Sequence, residues 1–332
     1  MMPQQTIMQR NYGPEAARFL LLRAGQASAA GNPYPFRHSA CELPPFNPVS
    51  GTVYQGINHL LLEAALPAGS SDPRWLTLKQ MMFLQQSHPS LALKPNAIAA
   101  TVVFAHPAAA HAGNQAAPQG REPLFALKGC TLFNGSQFKG LPPLKPGGYT
   151  PAGSDFGTEW LRRMHSEMKN RAADAACSLP HAAPPPSYPP ETEQNAGAWL
   201  RDLILQAAPE PDAAAPAMQA LRITIAASML SQMLGLEPAP ASPLLPIDWD
   251  RLAETDFRFI FSAAHDGERI VERIADASPT LGHRRQQLLR RIQENLLACA
   301  TQPREQACEI VDIYSHGTAR READPDARSL KS

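Results

Sequence analysis

The chain has 332 residues, 44% of them hydrophobic, which supports one or two buried cores; its 34 prolines follow no collagen-like period and mark loops and spacers. Thirty Lys+Arg balance 30 Asp+Glu, but residues 1–150 carry 11 basic against 5 acidic side chains and residues 151–332 carry 19 against 25. The halves are therefore basic and acidic, and the basic half suits a polyanion.

In chain order, Pro14-Glu15 opens a helix over 14–26 that places Ala17, Leu20, Leu21 and Ala24 on one face. The apolar run Phe19-Leu20-Leu21-Leu22 is stopped by Arg23, too soon for a signal segment or a membrane span. Residues 31–46, rich in proline and aromatics, read as an extended segment over a surface. Ser50-Gly51 and Gln55-Gly56 supply turns needing positive φ, and Asn58 is placed to cap a helix bearing Leu60, Leu61, Leu62 and Leu66. Another helix is expected from Thr77 to about Gln86. The runs 101–104 and 124–133 are β-rich, separated by an Ala/Gly/Pro stretch that reads as mobile.

From Gly147 a linker is expected, then a helix over 158–176 and a Pro-rich spacer over Ser178–Pro190. Helical spacing then recurs over 195–207, 215–235, 248–276 and 281–301, with Asp248 near an N-cap. The arginines Arg284, Arg285, Arg290 and Arg291 flank an apolar stripe of the last helix, either to grip phosphates or as snorkelling side chains on a solvated rim. Residues 316–332 read as a frayed, disordered tail. Five scattered cysteines without a Cys-x-x-Cys pair fit a reducing, cytoplasmic setting.

The segment Asn47-Pro48-Val49-Ser50-Gly51-Thr52-Val53-Tyr54-Gln55-Gly56-Ile57-Asn58, followed by Arg74-Trp75-Leu76-Thr77-Leu78-Lys79-Gln80, resembles the N-terminal single-stranded-DNA-binding domain of ArdC-like antirestriction proteins, shared with TraC-type plasmid primases. Leu132-Phe133-Asn134-Gly135-Ser136-Gln137-Phe138-Lys139-Gly140-Leu141-Pro142 is similar to the strand and turn that follow in the same family. The resemblance implies single-stranded DNA as partner, met by aromatics that stack on bases and by cations and amides that meet phosphates. Tyr54 and Trp75 are the aromatic candidates, with core packing as the alternative. Arg74, Lys79 and Lys94 are the nearest cations, and Asn47 and Asn58 the amide donors. Where the family carries a basic Arg-Lys-Gly-Glu-Lys-Gly-Thr turn, this chain reads Leu93-Lys94-Pro95-Asn96-Ala97-Ile98-Ala99-Ala100-Thr101, which implies weakened binding.

The second half resembles the family's zincin-like metallopeptidase domain. His-Glu-x-x-His falls on Leu205-Gln206-Ala207-Ala208-Pro209, and the third ligand's helix reads Gln219-Ala220-Leu221-Arg222-Ile223-Thr224-Ile225. Zinc needs the imidazoles and water activation the carboxylate, and neither Leu nor Pro ligates a metal. His106 and His111, five apart in an Ala/Pro loop, make no helical ligand pair, and no phosphate-binding glycine loop or nucleophile elbow is present.

The expectation is thus an α+β protein: a strand-binding domain over 1–150, a helix and Pro-rich linker over 151–190, a mainly α, zincin-like domain over 191–315 lacking its metal site, and the tail. Its expected function is single-stranded-DNA binding in the transfer or antirestriction of a plasmid or other mobile element, without peptidase activity. No catalytic residue, metal, cofactor, membrane or small-molecule substrate is expected. The alternative is a pseudo-enzyme that binds a protein partner through residues 191–315 and no longer binds DNA.

Overall fold

A computed structural model of the chain describes residues 12–32, 34–37, 41–107, 125–145, 155–173, 193–208, 216–236, 247–254 and 256–297, together with 186, 187 and 189. The expected linker at Gly147, most of the Pro-rich spacer, His111, Pro209 and the tail over 316–332 lie outside these residues.

Helix α1 (Gly13–Ala29) starts with Pro14 in its first turn and buries Ala17, Leu20, Leu21 and Ala24, the stripe its spacing predicts. Further along, Phe46 bridges to Val53 and to Arg74 and so brings the two ends of the signature segment together. Gly51 and Gly56 take φ values of 76° and 53°, the left-handed conformation that a side chain resists. Helix α2 (Gly56–Ala64) begins directly after Gln55, which corrects the expected cap: Asn58 sits inside the helix and serves another element.

Strand β1 (Trp75–Leu76) leads into α3 (Leu78–Leu84). There Thr77 accepts from the Gln80 N–H while the Gln80 side chain accepts from Thr77, a reciprocal cap that fixes the helix start. Strands β2 (Ala92–Leu93), β3 (Ala100–Pro107), β4 (Phe125–Asn134) and β5 (Phe138–Lys139) follow. The two β-rich runs pair as an antiparallel hairpin with Val102 opposite Cys130 and Val103 opposite Gly129. β1 adds on the far side of β4, giving the order β1-β4-β3, and β2 pairs with β5 in a separate ribbon.

The remaining elements are helices: α4 (Asp155–Ala173), α5 (Glu193–Ala207), α6 (Pro216–Leu234), α7 (Trp249–Ala253), α8 (Arg258–Ala277) and α9 (Pro279–Glu294). The single helix expected over 248–276 is two. Asp248 caps α7 as anticipated, but the Asp256 carboxylate then accepts from the Arg258 N–H, a local bond that competes with helical continuation. The last helix is shorter than its apolar pattern, because the Asn295 amide turns back onto the Arg291 carbonyl at 2.7 Å and closes it.

Helix α6 is the centre of the helical layer, with Leu221, Ile223, Ile225, Ala226 and Leu230 fully buried. Gly267 lets α8 lie against it, since a Cβ there would stand 2.8 Å from Ile225 Cγ2. The largest apolar cluster joins Leu20 and Leu60 to Trp199, Leu230, Ile270 and Leu281, so α1 and α2 are covered by helices from the second half. The class is mixed α and β, and among the described residues no helix is long and apolar enough to cross a membrane.

Candidate nucleic-acid interface

Five of the seven side chains singled out in the sequence are buried. Asn47, 5% exposed, folds its own turn: its Oδ1 accepts from the Val49 and Ser50 N–H groups at 2.9 and 3.1 Å. Its amide donates to Gln80 Oε1 at 3.0 Å, tying that turn to the start of α3. Tyr54 and Trp75, the expected stacking platforms, are 3% and 1% exposed and pack with Leu62, Ala100, Val102 and Leu132. Neither ring presents a face to solvent.

Asn58 reaches from α2 to β3, donating to the Val103 carbonyl at 2.7 Å and accepting from the Val103 N–H at 2.8 Å. It replaces one rung of a missing strand. Arg74, 5% exposed, forks onto Asp72 with contacts of 2.9 and 2.7 Å and donates to the Pro142 carbonyl. Lys79 and Lys94 are the two candidates on the surface, Lys79 on α3 and Lys94 just after β2. Among the α9 arginines, the rim reading fails for Arg284, which is 1% exposed and bonded to Glu42.

The second signature segment builds the wall on which Lys94 stands. Asn134 and Gln137 cap each other across the turn after β4, with the Ser136 N–H donating to Asn134 Oδ1 and Gln137 Oε1 accepting from the Asn134 N–H. Gln137 then holds the neighbouring loop at two points: its carbonyl accepts from the Lys94 N–H at 2.8 Å, and its amide donates to the Ile98 carbonyl at 3.0 Å. Lys94 Nζ donates to the Ser136 carbonyl at 2.7 Å. Opposite this loop, across a cleft of about 810 Å3, lies the outer face of α1 with Tyr12, Phe19 and Arg23.

Phe19 and Arg23 escaped the sequence reading, which treated the run as a helix face interrupted by a charge. The signal was present in their spacing, since the two lie four apart and off the stripe formed by Ala17, Leu20, Leu21 and Ala24.

Residues 22–133 match the family described as the N-terminal domain of anti-restriction factor ArdC. This stretch belongs to the ArdC N-terminal domain family. The resemblance carried by the Asn47–Asn58 and Arg74–Gln80 segments is thereby confirmed, and the buried asparagines and aromatics are the internal framework of an ArdC N-terminal domain. Among solved structures, the chain is similar to the Mn(II)-bound crystal structure of the antirestriction ArdC protein from plasmid R388, at 21% identity over 70% of this chain and 92% of that one, with a TM-score of 0.42. It is also similar to the metal-free structure of that protein, at 19% identity over 80% and 98%, with a TM-score of 0.48. No curated protein matches the chain.

In the helical half, Leu205 and Gln206 are exposed on α5, while Trp199, Leu200, Leu203 and Ile204 on the same helix are buried. Ile223 and Ile225 on α6 are fully buried. Among the described residues no three His, Cys, Asp or Glu side chains come together in an arrangement able to hold a metal ion.

Proposed function

We propose that the chain binds single-stranded DNA in the service of a plasmid or other mobile element, in transfer or antirestriction, and does not act as a peptidase. The observation that carries the reading is the membership of residues 22–133 in the ArdC N-terminal domain family. In this reading the strand-binding unit spans about residues 1–150. Asn47, Tyr54, Asn58, Arg74 and Trp75 set its shape from inside, and Lys79 and Lys94 meet phosphates from outside. With one lysine where the family's basic turn carries several charges, affinity is modest and its salt dependence shallow, each neutralised phosphate adding roughly 0.7 to the log–log slope on a single strand.

The helical half then serves as a degenerate zincin-like scaffold. What supports this is the chemistry at the ligand positions: Leu205 and Gln206 stand where an imidazole and a catalytic carboxylate are needed, and Ile223 and Ile225 belong to the helix that would supply the third ligand.

The test is fluorescence anisotropy of a labelled single-stranded oligonucleotide against the full chain at two salt concentrations. Binding that weakens with salt is expected. An absence of binding at low salt sinks the reading.

A further inference from the structure

We propose that the cleft between α1 and the Lys94–Thr101 loop is the place where the strand lies, with a base stacked on Phe19 and the backbone running past Lys94 and Arg23. This assignment rests on the strand-binding reading and gives it a site, since the signature aromatics Tyr54 and Trp75 are enclosed and cannot stack on a ligand.

Three observations carry it. The first is aromatic: Phe19 is 38% exposed and on the cleft wall, whereas Leu20 and Leu21 of α1 are buried and the exposed Leu22 lies off the lining, and Tyr12 lines the same wall. A phenyl ring with a free face accepts any base, which is what a sequence-tolerant single-strand binder needs. Opposite, Ile98 is 79% exposed and offers a second apolar surface to a base edge.

The second is charge. Lys94 donates only to the Ser136 carbonyl, and Arg23 only to the Ala64 carbonyl and the Gln26 side chain, so neither cation has a carboxylate partner among the described residues. Among the described residues Glu15 is the one carboxylate on the lining. Other arginines of the chain are spent internally, Arg74 on Asp72 and Arg284 and Arg291 on Glu42.

The third is the strand edge. In an antiparallel ladder the N–H and C=O of alternate residues turn to the same side. Asn58 takes both groups of Val103 on the outer side of β3, so those of Thr101, two residues earlier, face outward as well. Thr101 lines the cleft, and its N–H is positioned to donate to a phosphate or a base edge.

The experiment is the same anisotropy titration on the full chain, with Phe19→Ala and Lys94→Ala as cleft variants and Arg269→Ala, exposed on α8 and away from the cleft lining, as a control. Phe19→Ala is expected to raise Kd by roughly 5- to 100-fold at constant salt slope, and Lys94→Ala to lower the slope by about 0.7. The control is expected to leave both unchanged, and thermal melts of all three to overlay that of the parent, because the altered side chains are exposed. If the parent binds and both cleft variants keep its Kd and slope, the cleft assignment is overturned while DNA binding stands. If the parent does not bind, the strand-binding reading falls and the cleft with it.

Discussion

Glu42 Oε2 accepts from Arg284 Nη2 at 2.6 Å and from Arg291 Nη1 at 3.0 Å, so one carboxylate from the irregular segment before Phe46 gathers two guanidinium groups of α9. Arg284 is 1% exposed, also donates to the Met233 carbonyl at 2.9 Å and lies over the Trp160 ring. Removing the acid leaves a cation enclosed without its counter-charge, which costs on the order of 3–5 kcal/mol. Glu42→Ala is expected to lose that much in urea unfolding, and Glu42→Gln less, because its amide oxygen still accepts. A Glu42→Ala midpoint equal to the parent's would refute the clasp.

Asn58 guards the outer edge of β3. Asn58→Ala strips partners from the Val103 N–H and C=O together, and each orphaned group costs about 1–3 kcal/mol. A total loss of about 2–6 kcal/mol is expected, with faster hydrogen exchange at the Val103 amide. Unchanged protection at that amide would show that the rung is dispensable.

Acid sensitivity is expected at His59. Burial pushes its imidazole down to about 4, against hydrogen bonds with Gln232 and the Tyr54 backbone that pull the other way. The unfolded chain binds the proton near pH 6.5 and the folded chain only near 4, so the stability tied to this group is complete above about 6.5 and declines as the pH falls through that window. At pH 5 the parent should have lost about 2 kcal/mol more than His59→Gln, measured by urea unfolding at pH 7 and pH 5. Parallel losses in the two proteins would remove His59 as the cause.

Metal removal separates the scaffold reading from a rearranged metallopeptidase. The purified full chain is expected to carry zinc well below one equivalent by elemental analysis, and its melting temperature to be unmoved by EDTA. Stoichiometric zinc together with a chelator-induced drop in melting temperature would contradict the loss of the ligand set at Leu205 and Gln206.

Much of the fold was legible because its helices carry long apolar stripes: Leu20, Leu21 and Ala24 of α1 and Leu281, Leu288 and Ile292 of α9 are buried as their spacing demands. The two-residue strands β1, β2 and β5 were not, since two residues have no period to detect and owe their pairing to partners 40 or more positions away. The break between α7 and α8 was hidden by apolar spacing that runs through it, where the Asp256 carboxylate accepts from the Arg258 N–H. At the site, the family signature singled out side chains that the fold mostly encloses, since Asn47, Tyr54, Asn58, Arg74 and Trp75 are buried. A large aromatic or an asparagine in a motif reads the same whether it faces a ligand or the core, and only the three-dimensional partners of Trp75, Asn58 and Asn134 distinguish the two.

The Leu297 N–H donates to the Pro48 carbonyl at 2.7 Å, and Leu296 packs near Gly51, so the end of α9 rests on the turn that opens the signature segment. For a chain leaving the ribosome this imposes a delay. Leu20 and Leu60 emerge early, yet Leu281, in the cluster that encloses them, follows Leu60 by about 220 residues, roughly 10 to 45 s at ordinary elongation rates. During that interval the apolar faces of α1 and α2 are without the helices that enclose them, and a transcript cut before α5 yields a product whose Leu20 and Leu60 lack the helical cover they have here.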